Sequence, residues 1–233
     1  MNDDKKELAD FVYTISHDLN APLRHICEFS KILKQSLDGK LSEEEKEYFG
    51  YIIESGHKAE NIIESLLQYS RLNIEAFEVT SFDCHDLVQK VIHSFKLDIE
   101  KTKAHLNISN MPIKLQGDRN KIEKLFHVII ENALRFQKPD KAPEINITAN
   151  KKKGGWVFSI SDNGIGMNPE NHENVFQIFK QLDPDNYPSN LNQGMGIGLT
   201  LAKKIIDQHH GKIWLESALG KGTTVHFMLK DKT

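Results

Sequence analysis

The chain has 233 residues, a formal net charge of -3, 39% hydrophobic and 27% charged residues. That length allows one or two domains, the mixture excludes a disordered chain, and the mild acidity gives no general reason to expect nucleic-acid binding. The two cysteines, Cys27 and Cys84, exclude a disulfide scaffold; far apart in sequence, they fit a reducing compartment and read as packing residues.

The first third reads as two helices. Leu8, Val12, Ile15, Leu19, Leu23, Ile26, Ser30, Leu33 and Leu37 step by three or four residues. "DGK" stops the run, with Gly39 suited to a left-handed position after a helix. Ser42 and Glu45 form a capping-box pattern for a second helix, whose stripe is Tyr48, Ile52, Ser55, Ala59, Ile62, Leu66 and Tyr69. Two amphipathic helices joined by a short loop make a hairpin with too little core of its own. Two copies packed as a four-helix bundle would cover the stripe, so a homodimer is expected. No apolar run is long enough to cross a bilayer and no signal peptide opens the chain. No direct membrane contact is therefore expected of this segment; a cytoplasmic location and a sensory region upstream are.

Residues 73–81, "NIEAFEVTS", break the pattern and read as a junction. Beyond it, helical periodicity returns at Asp83–Lys103, Asp118–Phe136 and Ile197–His209. Strand-like runs stand at "HLNIS", "IKLQG", "EINITAN", "WVFSISD", "KIWLES" and "TTVHFML". The long polar stretch from Met167 to Met195 has the composition of a functional lid or a disordered segment. Strands with helices to cover one face predict an α+β sandwich.

Several residues have chemistry to offer. In "TISHDLNAPLRHI", His17 precedes Asp18, and Pro22 brings no N–H to the helix. At about 100° per residue, His17 falls opposite the midpoint of Ile15 and Leu19, facing solvent. An exposed imidazole beside a carboxylate suits a nucleophile with an orienting base, and the proline predicts a bend next to it. In "IIENALRF", Asn132 offers an amide oxygen suited to a hard cation such as Mg²⁺. In "DNGIGM", Asp162 ends a strand, ready to accept a hydrogen bond from an exocyclic amine, and Gly164 and Gly166 let backbone approach a flat base. "GMGIGL" places Gly194, Gly196 and Gly198 before a helix, where backbone N–H groups bind phosphate. "GKGTT" adds Gly220, Gly222 and Thr223. Each piece alone is weak; their order is the specific signal.

That ordered set resembles the catalytic core of a sensor histidine kinase over nearly the whole chain. "FVYTISHDLNAPL" is similar to the phosphoacceptor box, "HVIIENALRF" to the N box and "SDNGIGM" to the first glycine box. "VFQIFKQL", "GMGIGLTLAKKI" and "SALGKGTTVHF" are similar to the F box and the second and third glycine boxes. "NALRFQKPDKAPEI" resembles in particular the phytochrome-associated branch. The resemblance implies residues 1–74 as a dimeric phosphotransfer hairpin, a four-helix bundle in the dimer. It implies 75–233 as an α/β sandwich of the gyrase, Hsp90 and histidine-kinase type that binds ATP. By position it implies phosphorylation of His17, Asp18 as its partner, Mg²⁺ on Asn132, the adenine amine on Asp162 and Thr223 supporting the adenine end. Arg135 falls where the family has a phosphate-contacting base. Gly194, Gly196 and Gly198 would shape the lid, Phe176 and Phe179 its hinge, and Lys180 would be the lid cation. The expected partner is a response-regulator receiver domain. Two positions depart from the pattern. Val128 stands where the N box usually has a second asparagine, which makes a nucleotide-binding scaffold with weak or no autophosphorylation the alternative. Ala21 stands where kinases that double as phosphatases commonly have Thr or Asn. A stand-alone ATPase is a third class, opposed by the lack of a water-activating glutamate at 128.

Overall fold

The computed structural model describes residues 2–72, 75–177, 180 and 196–231, with side chains from residue 12 onward except that of His17. The chain forms two compact units, Met1–Ala76 and Phe77–Thr233.

The first unit is a helical hairpin, α1 (Asn2–Ser36) packed along α2 (Glu43–Arg71). Its sequence signals operate as local chemistry predicts. The Ser42 side chain accepts from the Glu45 N–H, and the Glu45 carboxylate accepts from the Ser42 N–H, so two orphan donors of α2 are satisfied reciprocally. Gly39 turns the chain with φ +77° and its N–H donates to the Asp38 carboxylate. Helix α1 is continuous across Pro22. Much of the apolar stripe is open: Ile15, Leu19, Ile26 and Leu33 on α1, and Tyr48 and Ile52 on α2, are 40 to 53% exposed.

The second unit begins with β1 (Thr80–Phe82), α3 (Cys84–Ser94), α4 (Lys96–Thr102), β2 (His105–Ser109), β3 (Leu115–Gly117) and α5 (Arg119–Arg135). It continues through β4 (Glu144–Lys152), β5 (Gly155–Asp162), α6 (Gly198–Gln208), β6 (Lys212–Ala218) and β7 (Gly222–Lys230). Short 3-10 turns lie at Pro169–Asn171 and Asn174–Phe176. The main sheet has the order β2-β4-β5-β7-β6, parallel between β2 and β4 and antiparallel elsewhere; β1 and β3 form a separate pair.

Strand alternation sends Ile145, Ile147, Phe158, Ile160, Val225 and Phe227 to one buried face. Helices α5 and α6 supply the opposing layer with Ile122, Leu125, Phe126, Ile129, Leu201 and Ile205. Phe126, Phe158 and Phe227 meet at ring separations of 4.9 to 5.7 Å. All three are fully buried, and each is worth about 3–5 kcal/mol against truncation to alanine. This is the α+β sandwich expected from the pattern.

The structure differs from the periodicity in two places. The helix expected over Asp83–Lys103 is broken at Phe95 into α3 and α4. Phe95 is buried and its ring lies 4.5 Å from that of His127 of α5, tilted by 41°, so a tertiary contact re-aims a chain that carries no local breaker. Strand β1 lies in the junction and was not anticipated; its three residues are too few to show alternation.

The two covering helices are tied to each other by polar groups. Asp118 caps α5 and is 4% exposed; Oδ1 accepts from the Lys121 N–H and Oδ2 from the Glu78 N–H. Its own N–H donates to Nε2 of His209, just past α6, while His209 Nδ1 donates to the Ile205 carbonyl at 2.7 Å. The start of α5 is thereby held against the end of α6.

Candidate functional site

Asp162, the last residue of β5, is the best-constrained polar group of the site. Its Oδ1 accepts from the N–H groups of Gly164 at 2.8 Å and Thr223 at 3.1 Å. Oδ2 has no partner among the described residues. Burial raises its pKa above the ordinary carboxylate range, opposed by the two backbone donors and the charge of Lys138. A carboxylate locked by one oxygen with the other left to accept is what an amine-bearing ligand requires.

Glycine is needed around it for space. A Cβ on Gly164 would collide with the carbonyl of Phe136 and lie 2.8 Å from Asp162 Oδ1. Gly166, at φ +66°, has its Cα against the Ala218 carbonyl. Ser217 fastens the two glycine-rich turns together. It accepts from the Met167 N–H at 2.9 Å, donates to the Gly222 carbonyl at 2.9 Å and shares a bond with Thr223 Oγ1.

Asn132 lies one turn from the end of α5, half-buried. Its side-chain amide makes no hydrogen bond among the described residues. It faces the start of α6: a Cβ on Gly198 would stand 3.0 Å from Val128 Cγ1, 3.5 Å from Asn132 Nδ2 and 3.8 Å from Asn132 Oδ1. The amide and the N-terminus of α6 are therefore neighbours, although 65 residues separate them in sequence. Asn132 also connects to the Asp162 group. Its carbonyl accepts from the Phe136 N–H, and the Phe136 carbonyl accepts from the Ile165 N–H at 3.0 Å.

The other expected residues divide. Gly196, at φ +66°, lies against the backbone of Lys180, whose carbonyl carbon would be 2.8 Å from an added Cβ; the Lys180 side chain is exposed. Phe176 lies in the second 3-10 turn, which packs on α6. Arg135 pairs with Glu131 at 2.5 Å across one helical turn. Gly194 and Phe179 lie outside the described residues, as does the side chain of His17, whose backbone lies in α1; Asp18, Ala21 and Pro22 are exposed.

Lys138 and Ser217 were missed by sequence reasoning. Lys138 Nζ donates to the Gly220 carbonyl at 2.6 Å, closing the Asp162 corner. Neither residue type carries a spacing signal, and only the folded turns bring them to the site.

The chain is similar to known proteins over nearly its whole length. The model of the histidine kinase-, DNA gyrase B-, and HSP90-like ATPase family matches residues 117–233, and that of the His kinase A phospho-acceptor domain matches residues 7–75. The phytochrome-like protein Cph1 of Synechocystis is 32% identical over 224 residues, which are 96% of this chain and 29% of Cph1. The chain thus spans about three-tenths of the length of that relative. Full-length ShkA in complex with AMPPNP superposes with a TM-score of 0.67 at 21% identity, over 96% of this chain and 47% of that one. The histidine kinase ThkA in complex with the response regulator TrrA superposes with a TM-score of 0.66 at 21% identity, over 98% and 64%. These two likenesses establish the fold.

Proposed function

The chain belongs to the histidine kinase-, DNA gyrase B-, and HSP90-like ATPase family, with a histidine-kinase phosphoacceptor hairpin ahead of the ATPase domain; from that premise we propose that it autophosphorylates His17 from ATP and passes the phosphoryl group to an aspartate of a receiver domain. The observation that carries the reading is Asn132, an amide half-buried beside the N-terminus of α6 with no hydrogen-bond partner among the described residues. Its amide is open to a ligand, with an oxygen that no protein group occupies among the described residues.

Asp162 accepts the adenine amine through Oδ2, with Gly164, Gly166 and Thr223 shaping that end. Gly194, Gly196 and the N-terminus of α6 at Gly198 receive the phosphates, with Lys180 and Arg135 as the nearby cations; Arg135 leaves Glu131 to do so. Asn132 Oδ1 is a hard oxygen and fits Mg²⁺, which neutralises phosphate charge when bound. A nitrogen of His17 attacks the γ-phosphorus, the bond to the bridging oxygen breaks and ADP leaves. Asp18 orients, then accepts, the proton on the other ring nitrogen. The bend expected at Pro22 lets the hairpin shift around the reactive pair.

The open apolar stripe of α1 and α2 supports a homodimer, in which a second hairpin covers it. The ThkA–TrrA neighbour supports a response regulator as acceptor, the ShkA–AMPPNP neighbour supports ATP, and the greater length of Cph1 supports an upstream sensory region. No helix among the described residues is long and apolar enough to cross a membrane, which is compatible with the expected cytoplasmic location of this segment.

The test is incubation with Mg²⁺ and γ-labelled ATP. Acid-labile, base-stable label that disappears in His17→Gln supports the kinase. Nucleotide binding without label rejects it in favour of the scaffold that Val128 suggests.

A further inference from the structure

The hairpin contains a cluster of metal-ligating side chains unrelated to the nucleotide site. Cys27 of α1 and His57 and Glu60 of α2 bring one ligand atom each to within 4.8 Å of one another. Sequence distance conceals this, since His57 and Glu60 lie 30 and 33 residues beyond Cys27. Thiol, imidazole and carboxylate together form a mixed donor set that suits Zn²⁺ or another borderline divalent ion.

The hairpin is shaped around the sulfur. Gly56 lies in the middle of α2, where glycine costs about 1 kcal/mol relative to alanine. A Cβ at that position would collide with Cys27 Sγ, so the glycine makes the recess that the thiol fills. Cys27 is 1% exposed and points its Sγ across the interface, 3.9 Å from the Ile53 carbonyl. The residue after Gly56 is His57, which is exposed, and one turn on is Glu60, half-buried; His57 Nδ1 and Glu60 Oε2 are 2.9 Å apart. The sulfur is therefore at the floor of a recess and the other two ligands are at its mouth, which leaves an entry path. Tetrahedral zinc with one sulfur and one nitrogen ligand sets them about 3.5 Å apart. Closing from 4.8 Å asks for side-chain movement of about 1 Å.

The site also stays open when the hairpin dimerises. His57 is nine residues beyond Tyr48, so at about 100° per residue it points away from the stripe that a second copy would cover.

We propose that Cys27, His57 and Glu60 form a binding site for a divalent ion of the zinc class, with water in the fourth position, which clips α1 to α2 on the outer face of the hairpin. Binding forms a metal–sulfur bond as the thiol proton leaves to water; His57 and Glu60 exchange their mutual hydrogen bond for bonds to the ion. The clip lies ten residues beyond His17 on the same helix, so occupancy stiffens the hairpin near the phosphoacceptor. The inference does not depend on kinase activity.

Cobalt(II) titration of the metal-free 233-residue chain tests it. The expected result is one ion per chain, with a thiolate-to-cobalt absorption band that Zn²⁺ bleaches. Cys27→Ser removes the band, and His57→Gln and Glu60→Gln each weaken binding at least about tenfold. Cys84→Ser leaves the band intact. Saturating Zn²⁺ raises the thermal midpoint of the wild type and not that of Cys27→Ser. A wild type without the band, a band that survives Cys27→Ser, or an affinity indifferent to His57→Gln overturns the proposal. His57 is exposed, so its variant decides the matter even if replacing Cys27 disturbs the helix packing.

Discussion

Gly164 packs directly on the carbonyl of Phe136, so the turn after β5 touches the end of α5 with no room for a side chain. That contact joins Asp162, the residue proposed to accept an amine, to the helix that carries Asn132. Gly164→Ala forces the two apart. The expected cost is about 1–3 kcal/mol of stability, with ATP affinity reduced more than the loss of fold explains. Thermal unfolding and nucleotide titration on the same preparation check both.

Asp162→Asn separates binding from folding. The asparagine Oδ1 still accepts from Gly164 and Thr223, but Nδ2 now opposes the adenine amine, so ATP affinity falls at least about tenfold, 1.4 kcal/mol. Stability moves the other way. Because burial raises the folded pKa of Asp162, keeping it ionised disfavours the native state at neutral pH. That penalty develops as pH rises from the unfolded value of about 4 through the raised folded value, and is fully present above the latter. The variant is therefore expected to be the more stable at pH 7, and the difference to vanish as pH falls towards about 4. Chemical denaturation at several pH values measures it; a difference that grows in acid contradicts the assignment.

Asn132→Ala removes a side chain that holds no described neighbour by hydrogen bond. Its expected effect on stability is under about 0.5 kcal/mol, while Mg²⁺-dependent labelling of His17 is lost. Labelling that persists at the wild-type rate removes Asn132 from the site. Mixed with His17→Gln chains, the same variant reveals the route of transfer: label in the mixture means transfer between the chains of a dimer.

Leu33→Glu places a charge on the open stripe, where Leu33 is 50% exposed. Losing about 1.5 kcal/mol of apolar burial from each copy raises the dimer dissociation constant about a hundredfold, because the dimer contains the change twice. Sedimentation equilibrium measures this, and helical content stays unchanged because the residue is not in the core of the single hairpin.

Ala21, exposed on α1 four residues beyond His17, the proposed phosphoacceptor, has no polar group with which to position a water. Phosphatase activity towards a phosphorylated receiver is expected to be near background in this chain and to rise in Ala21→Thr. Radiolabel release from the receiver is the readout.

Local signals were legible where the chemistry is local. Ser42 and Glu45 lie three residues apart and cap α2 as their pattern predicts, and the strands from "EINITAN" to "TTVHFML" alternate onto one buried face. Phe95 was not legible as a break, because what ends α3 is the ring of His127, on another helix. The glycine boxes were legible as an ordered set, but not the reasons for them: Gly164 is dictated by the Phe136 carbonyl and Gly166 by that of Ala218.

The sequence by itself determined the family and the order of the boxes, because each box is a short run whose chemistry is written in neighbouring letters. Tertiary structure alone decided which oxygen of Asp162 is left to accept, that Asn132 faces the start of α6, and that Cys27 meets His57 and Glu60 across the hairpin. Those relations depend on packing between segments 30 to 66 positions apart, and no local period encodes a distance across a core.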